Sequence, residues 1–135
     1  MLVDFGSGYR PYKKYKTCDF NYGCDFYNIK EIPDNSVTLI RCRNVIHHIP
    51  DLINLFKEFN RILKKNGRAV IIDCAKDYVK INYILDTIYY KGIAKNNNIW
   101  YTSNYRDITK FINGKLKVVK EHKIRTKSWI TLKKV

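Results

Sequence analysis

The chain is 135 residues long with 45% apolar and 28% charged residues, so it has the size and composition of one globular domain with a real core and leaves no room for a second. No apolar run approaches the ~20 residues of a membrane span, and acid and glycine stand where a secretory leader would be apolar, so a soluble cytoplasmic protein is expected. The charge is lopsided: 26 Lys and Arg against 12 Asp and Glu give +14, and half of that excess falls within residues 115–135, where Glu121 is the one acid. Two explanations compete for it, a polyanionic partner such as nucleic acid and the Lys, Asn, Ile and Tyr bias of an AT-rich genome, and the sequence favours neither.

Met1 to Phe5 is an apolar run holding one acid, Asp4, and it leads into Gly6-Ser7-Gly8. A buried strand entering a glycine turn lets backbone N–H groups approach a ligand closely, so this is a candidate nucleotide-type loop. Tyr9 to Tyr15 occupies the place of a first helix, but Pro11 restricts it to a turn or two. Lys16 to Phe20 reads as a second strand whose tip carries Asp19, placed to accept hydrogen bonds from ribose hydroxyls.

Cys24 to Tyr27 is expected as a short third strand, with Asn28-Ile29 at its tip. Pro33 to Ser36 is a turn, and Val37 to Cys42 a β-branched fourth strand. Asp51 or Pro50 opens a helix whose Leu52, Leu55, Phe56, Phe59, Ile62 and Leu63 share one face, with Lys64 and Lys65 at its end and Asn66-Gly67 as its stop. Arg68 to Cys74 is a fifth, central strand; Tyr78 to Ile93 and Asn104 to Ile112 have helical character. Lys115 to Ile124 and Thr126 to Leu132, joined almost without a gap, must be antiparallel neighbours. The four cysteines contain no C-x-x-C pair, so a metal centre is not expected and reduced, packed thiols are.

Taken together these residues resemble the class I S-adenosylmethionine-dependent methyltransferases, closest to the small type-11-like branch whose first glycine motif runs Gly-x-Gly-x-x-Pro. Asp4-Phe5-Gly6-Ser7-Gly8 is similar to the family's opening motif, Ile32 to Val37 to its turn into strand four, Asn44 to Asp51 to its "V-L-H-H-L-P-D" segment, and Phe59 to Arg68 to its "R-x-L-K-P-G-G" helix end. The likeness covers residues 1 to about 75 by motif and the remainder by pattern.

The resemblance implies an α/β, Rossmann-like three-layer sandwich with a mostly parallel seven-stranded sheet and an antiparallel C-terminal strand, in one domain over 1–135 that lacks the N-terminal lid helix. It implies S-adenosylmethionine as cofactor. Asp4 would orient its methionine end; Gly6, Ser7 and Gly8 would approach it through backbone; Asp19 would hold the ribose, with Phe20 next to it in the cofactor site; Asn28 and Ile29 would flank the adenine; the backbone around Cys42 and Arg43 would face the methionine amine. His48, and next to it His47, are the candidate general bases; the alternative is that one of them packs against the following helix. The family's third glycine is replaced by Arg10 and its adenine-contacting acid by Asn28.

The function implied is methyl transfer, with RNA or another polyanion as acceptor through the basic C-terminal strands and a protein partner as the source of a lid. A catalytically silent methyltransferase-like module that binds RNA or a partner subunit is the alternative. A nicotinamide dehydrogenase is disfavoured by the missing third glycine and first helix. Amino-directed and cytosine-5 DNA methylation are disfavoured by the lack of N-P-P-Y and P-C segments.

Overall fold

A computed structural model describes residues 1–6, 13–19, 23–74, 84, 108–112 and 115–135. The expected helix over 78–93, apart from Ile84, and the aromatic loop at 100–103 lie outside the described residues, as do Ser7, Gly8 and Phe20.

Six strands form one sheet: β1 (Leu2–Phe5), β2 (Lys16–Cys18), β3 (Val37–Arg43), β4 (Leu63–Cys74), β5 (Leu116–Ile124) and β6 (Lys127–Lys134), in the order β2-β1-β3-β4-β6-β5. β2, β1, β3 and β4 run parallel, and β6 is antiparallel to both of its neighbours. The expectation of seven strands is corrected to six among the described residues. The missing one is Cys24 to Tyr27, which forms turns. The Asp25 carboxylate accepts from Tyr27 N–H at 2.9 Å, an Asx-type turn that competes with extended pairing.

Period-two alternation sorts the sheet into two faces. On one, Val3, Phe5, Ile40, Cys42, Ala69 and Ile71 are buried beneath α1 (Leu52–Ile62). Phe5 anchors this core, its ring 4.2 Å from Phe26 and 4.9 Å, edge-on, from Phe59. Burying each such ring contributes about 1.5–3 kcal/mol. Asp51 caps the helix by accepting from Asn54 N–H at 3.0 Å.

The helix ends earlier than its composition suggests. Leu63 turns extended and pairs directly with Val37, so Lys64 and Lys65 belong to β4. Asn66-Gly67 is a bulge in that strand instead of a helix stop: Asn66 has φ 66°, and the register jumps from Val37↔Leu63 to Leu39↔Arg68. A Cβ at Gly67 would stand 2.8 Å from Lys64 O and 2.9 Å from Val37 O, too close for any other residue. The carbonyls left at the helix end are taken by Lys134 Nζ, which donates to Leu63 O at 2.7 Å and to Asn60 O. Burial, and then the nearby Lys115, lower the pKa of that ammonium.

The thiol expectation is also corrected. Cys18 and Cys24 form a disulfide, their Cα atoms 5.4 Å apart, while Cys42 is free and buried. β2 and the turn at Cys24 bring the pair together at a separation that spacing rules for metal sites do not address.

Candidate cofactor crevice and histidine site

The parallel strands end level with one another. Phe5 is in register with Cys18 on one side and Cys42 on the other, and Arg43 with Ile72. β1 is followed by β2 on one flank and β3 on the other, so the chain reverses direction across the sheet beside β1. A crevice outside the carboxyl ends at such a point is where open α/β sheets take ligands. Gly6, Asp19, Arg43, Asn44 and Asp73 come together along that edge.

Gly6 has φ +67° and donates its N–H to Cys18 O at 2.7 Å. A Cβ there would overlap the Val45 side chain. Glycine is therefore required at position 6 by backbone conformation and by the close approach of Val45. Asp19 is buried at the tip of β2, and its carbonyl accepts from Cys24 N–H at 3.1 Å, so the disulfide closes the short loop that carries it. Asp4 is 2% exposed and its Oδ1 lies 3.3 Å from Arg41 Nη1, on the sheet face away from α1.

Asn28 is exposed, whereas the Ile29 side chain sits in the core. The Ile29 backbone is held by α1: its N–H donates to Glu58 Oε1 at 2.7 Å and its carbonyl accepts from Arg61 Nη2 at 3.1 Å. Arg61 also reaches Ile32 O at 3.1 Å and the Asp34 and Glu58 carboxylates. Those pairings, Glu58 foremost, raise its pKa above the ordinary guanidinium value. The sequence motif includes Arg61 but assigns Glu58 no role. An acid and a base three apart on a helix face that otherwise packs inward was the available signal.

Cys42 points into the core. Burial, then the charges of Asp73 and Asp4, push its thiol pKa well above normal, which suits it to packing and not to nucleophilic work. Arg43 is exposed and Asn44 takes φ 55°, its N–H donating to Ile72 O at 2.8 Å and its Oδ1 accepting from Lys127 Nζ at 2.8 Å.

The two histidines separate sharply. They share a 3₁₀ turn (Ile46–His48), with ring centroids 3.9 Å apart, yet His47 is buried and His48 exposed. Asp73, which sequence reasoning passed over, organises the turn. Its Oδ2 accepts from Val45 N–H at 2.9 Å and Ile46 N–H at 3.0 Å, and its Oδ1 lies 2.7 Å from His47 Nδ1. A carboxylate closing a buried strand at the ligand edge was the signal for it.

The geometry defines a class: a Rossmann-like sheet with an acid-tipped second strand, a glycine turn at the first strand end and a held histidine after the third. The comparisons place the chain within it. Residues 4–71 match the family model described as a methyltransferase domain, and the chain belongs to that family. A curated relative, the uncharacterized methyltransferase YcgJ of Bacillus subtilis, is 39% identical over 41 residues, 30% of this chain and 16% of that protein. A crystal structure described as a "putative type 11 methyltransferase from Sulfolobus solfataricus" superposes with TM-score 0.64 at 24% identity, covering 99% of this chain and 83% of that one. The geranyl diphosphate C-methyltransferase of Streptomyces coelicolor, solved with S-adenosyl-L-homocysteine, superposes with TM-score 0.68 at 14% identity, covering 99% and 69%.

S-adenosylmethionine is the cofactor of this family. The residues fit it: the level strand ends leave an edge at the reversal point, and Asp19 supplies a carboxylate at the second tip. Among the described residues no helix is long and apolar enough to cross a membrane.

Proposed function

We propose that the chain transfers a methyl group from S-adenosylmethionine to an anionic acceptor, with RNA as the acceptor class, and that the carboxyl edge of β1, β2 and β3 is where the cofactor binds. The observation that carries this is Asp19 at the tip of β2, level with Gly6 and Arg43. The cofactor supplies a methyl group on an electrophilic sulfonium; what the protein must add is alignment, exclusion of water and a place for the acceptor's proton. Asp19 binds ribose hydroxyls, the turn at Gly6 brings backbone close, and the exposed Asn28 side chain offers an amide to the adenine edge.

Asp73 accepts from two backbone N–H groups and, as a carboxylate, from His47 Nδ1–H, which fixes the orientation of the ring as a candidate base. This support favours His47 over the exposed His48, which the sequence pattern put first.

The second reading, a catalytically silent module, is favoured by Val45 filling the space beside Gly6 and by the Asp4 carboxylate facing Arg41. Calorimetry with S-adenosylmethionine separates the two. Binding that is lost in Asp19→Ala, followed by labelled methyl transfer into an RNA pool but not into protein or small-molecule pools, is the expected result. No heat at millimolar cofactor would sink the active reading.

A further inference from the structure

The sheet face turned away from α1 has a composition that an ordinary buried face lacks. Register fixes its rows. Arg43, Ile72, Trp129 and His122 are cross-strand neighbours; Arg41, Val70, Thr131 and Lys120 form the next row, and Leu39, Arg68, Lys133 and Lys117 the third. Among the described residues every row carries cations from at least one edge, and the only acid on these rows is Asp4, already 3.3 Å from Arg41. Glu121, the one acid of the C-terminal strands, pairs with the buried Ile130 and so points to the other face.

Aromatic groups stand within this basic field. Trp129 and His122 lie nearly parallel, their rings 5.9 Å apart at 26°. Trp129 and Tyr15 line a cavity of about 390 Å³ together with the apolar Leu39, Val70 and Ile72 and the basic Arg41, Arg43 and Lys127. That volume falls at the small end of ligand pockets, ~300–1,000 Å³, and is of the size to take one flat ring with its attached phosphate. A positive groove combined with aromatic faces on which bases stack is the physical recipe for binding single-stranded nucleic acid. The cavity also adjoins the candidate cofactor edge through Arg43, which ends β3.

We infer that this face binds single-stranded RNA, with one unpaired nucleotide seated in the cavity against Trp129 and Tyr15, its phosphates on Arg43 and Lys127, and the flanking strand lying over Lys120, Arg68 and Lys133. This deepens the RNA reading given above, but the binding itself needs neither the cofactor nor catalysis.

Fluorescence anisotropy with a labelled single-stranded oligoribonucleotide of about twelve residues, a length within the usual site sizes, tests it without cofactor. Binding is expected to weaken about tenfold in Trp129→Ala and to survive in Trp129→Phe, which keeps a stacking ring. Arg43→Glu with Lys127→Glu should weaken it further and flatten the dependence of log affinity on log salt by about one to two, at ~0.7 for each phosphate no longer neutralised. The charge-matched pair Lys57→Glu and Lys64→Glu, outside these rows and both exposed, should leave affinity within about threefold. Equal loss in both pairs, no loss in Trp129→Ala, or a duplex binding as tightly as the single strand would each overturn the inference. Circular dichroism melts on every variant, with loss of binding counted only in those that keep the fold, exclude unfolding as the cause. Calorimetry with S-adenosylmethionine on the same proteins keeps the two proposals apart: failure to bind cofactor leaves the RNA result standing, and the converse holds.

Discussion

Asp73 and His47 are joined at 2.7 Å through Oδ1 and Nδ1, and the same carboxylate ties down the backbone leading into the histidine turn. One side chain at the end of β4 thereby sets both the position of a loop from β3 and the tautomer of the ring it carries. Asp73→Asn keeps the shape but can hold the opposite tautomer, so methyl transfer should fall at least tenfold with cofactor affinity unchanged. Long-range ¹⁵N–¹H correlation spectra would show the His47 proton leaving Nδ1. Stability should drop by about 1–3 kcal/mol from the weakened buried acceptor.

Gly6 and Val45 cannot both carry side chains. Gly6→Ala should destabilise the fold by at least ~2 kcal/mol in urea unfolding, from a left-handed backbone and from overlap with Val45. Adding Val45→Gly should recover the overlap and leave the backbone strain, so the double variant should be more stable than Gly6→Ala yet below the parent.

Arg61 acts for the segment 24–36 as a strand neighbour would. It satisfies two carbonyls and neutralises Glu58, which is buried. Arg61→Lys cannot reach all of these with one ammonium, and a loss of about 2–4 kcal/mol is expected, together with faster proteolysis within residues 24–36. Limited digestion followed by mass spectrometry reads the cleavage sites directly.

The raised pKa of Cys42 makes stability depend on pH with a definite sign. Its folded value lies above the unfolded one, so the thiol holds its proton in the native state after the unfolded chain has lost it. The contribution is complete below about pH 8.5 and is lost as pH rises beyond it, at up to ~1.4 kcal/mol per pH unit. Urea unfolding of the parent and of Cys42→Ala at pH 7.5 and 9.5 should show the difference between them shrink at the higher pH. Cys42 should also resist alkylation until the protein is unfolded.

The disulfide predicts a simple peptide map. Without reduction Cys18 and Cys24 should appear as one linked pair, closed to iodoacetamide, and reduction should release both. Since the bridge closes the loop bearing Asp19, reduction should also weaken cofactor binding, a change that calorimetry in the presence and absence of a reductant would measure.

Much of this architecture was legible because local signals and burial agree. β-branched runs marked β3 and β4, the apolar face marked α1, and the near-absence of a loop marked the β5–β6 hairpin. What escaped was decided by long-range partners. Cys24 to Tyr27 has the composition of a strand, yet its neighbours are the side chains of α1 and a disulfide, neither of which has a periodic signature. Asn66-Gly67 reads as a helix stop, and Leu63 is drawn into the sheet before the stop is reached because Val37 stands ready to pair. Asp73 was hidden for a similar reason. Its importance lies in three groups 26 to 28 residues upstream, which no spacing rule connects to it.

Among the described residues β5 is the edge strand on the C-terminal side of the sheet, nine residues long, with Val119 and Ile124 exposed along it. An open edge of that length invites another chain to add itself by backbone pairing, and lysines spaced along it are the usual deterrent. The cations of β5 therefore have a second consequence, independent of any ligand: they keep the edge from recruiting its own copies. Removing them by alanine substitution would trade a binding defect for self-association, whereas reversing them to glutamate keeps the edge charged and the molecule dispersed.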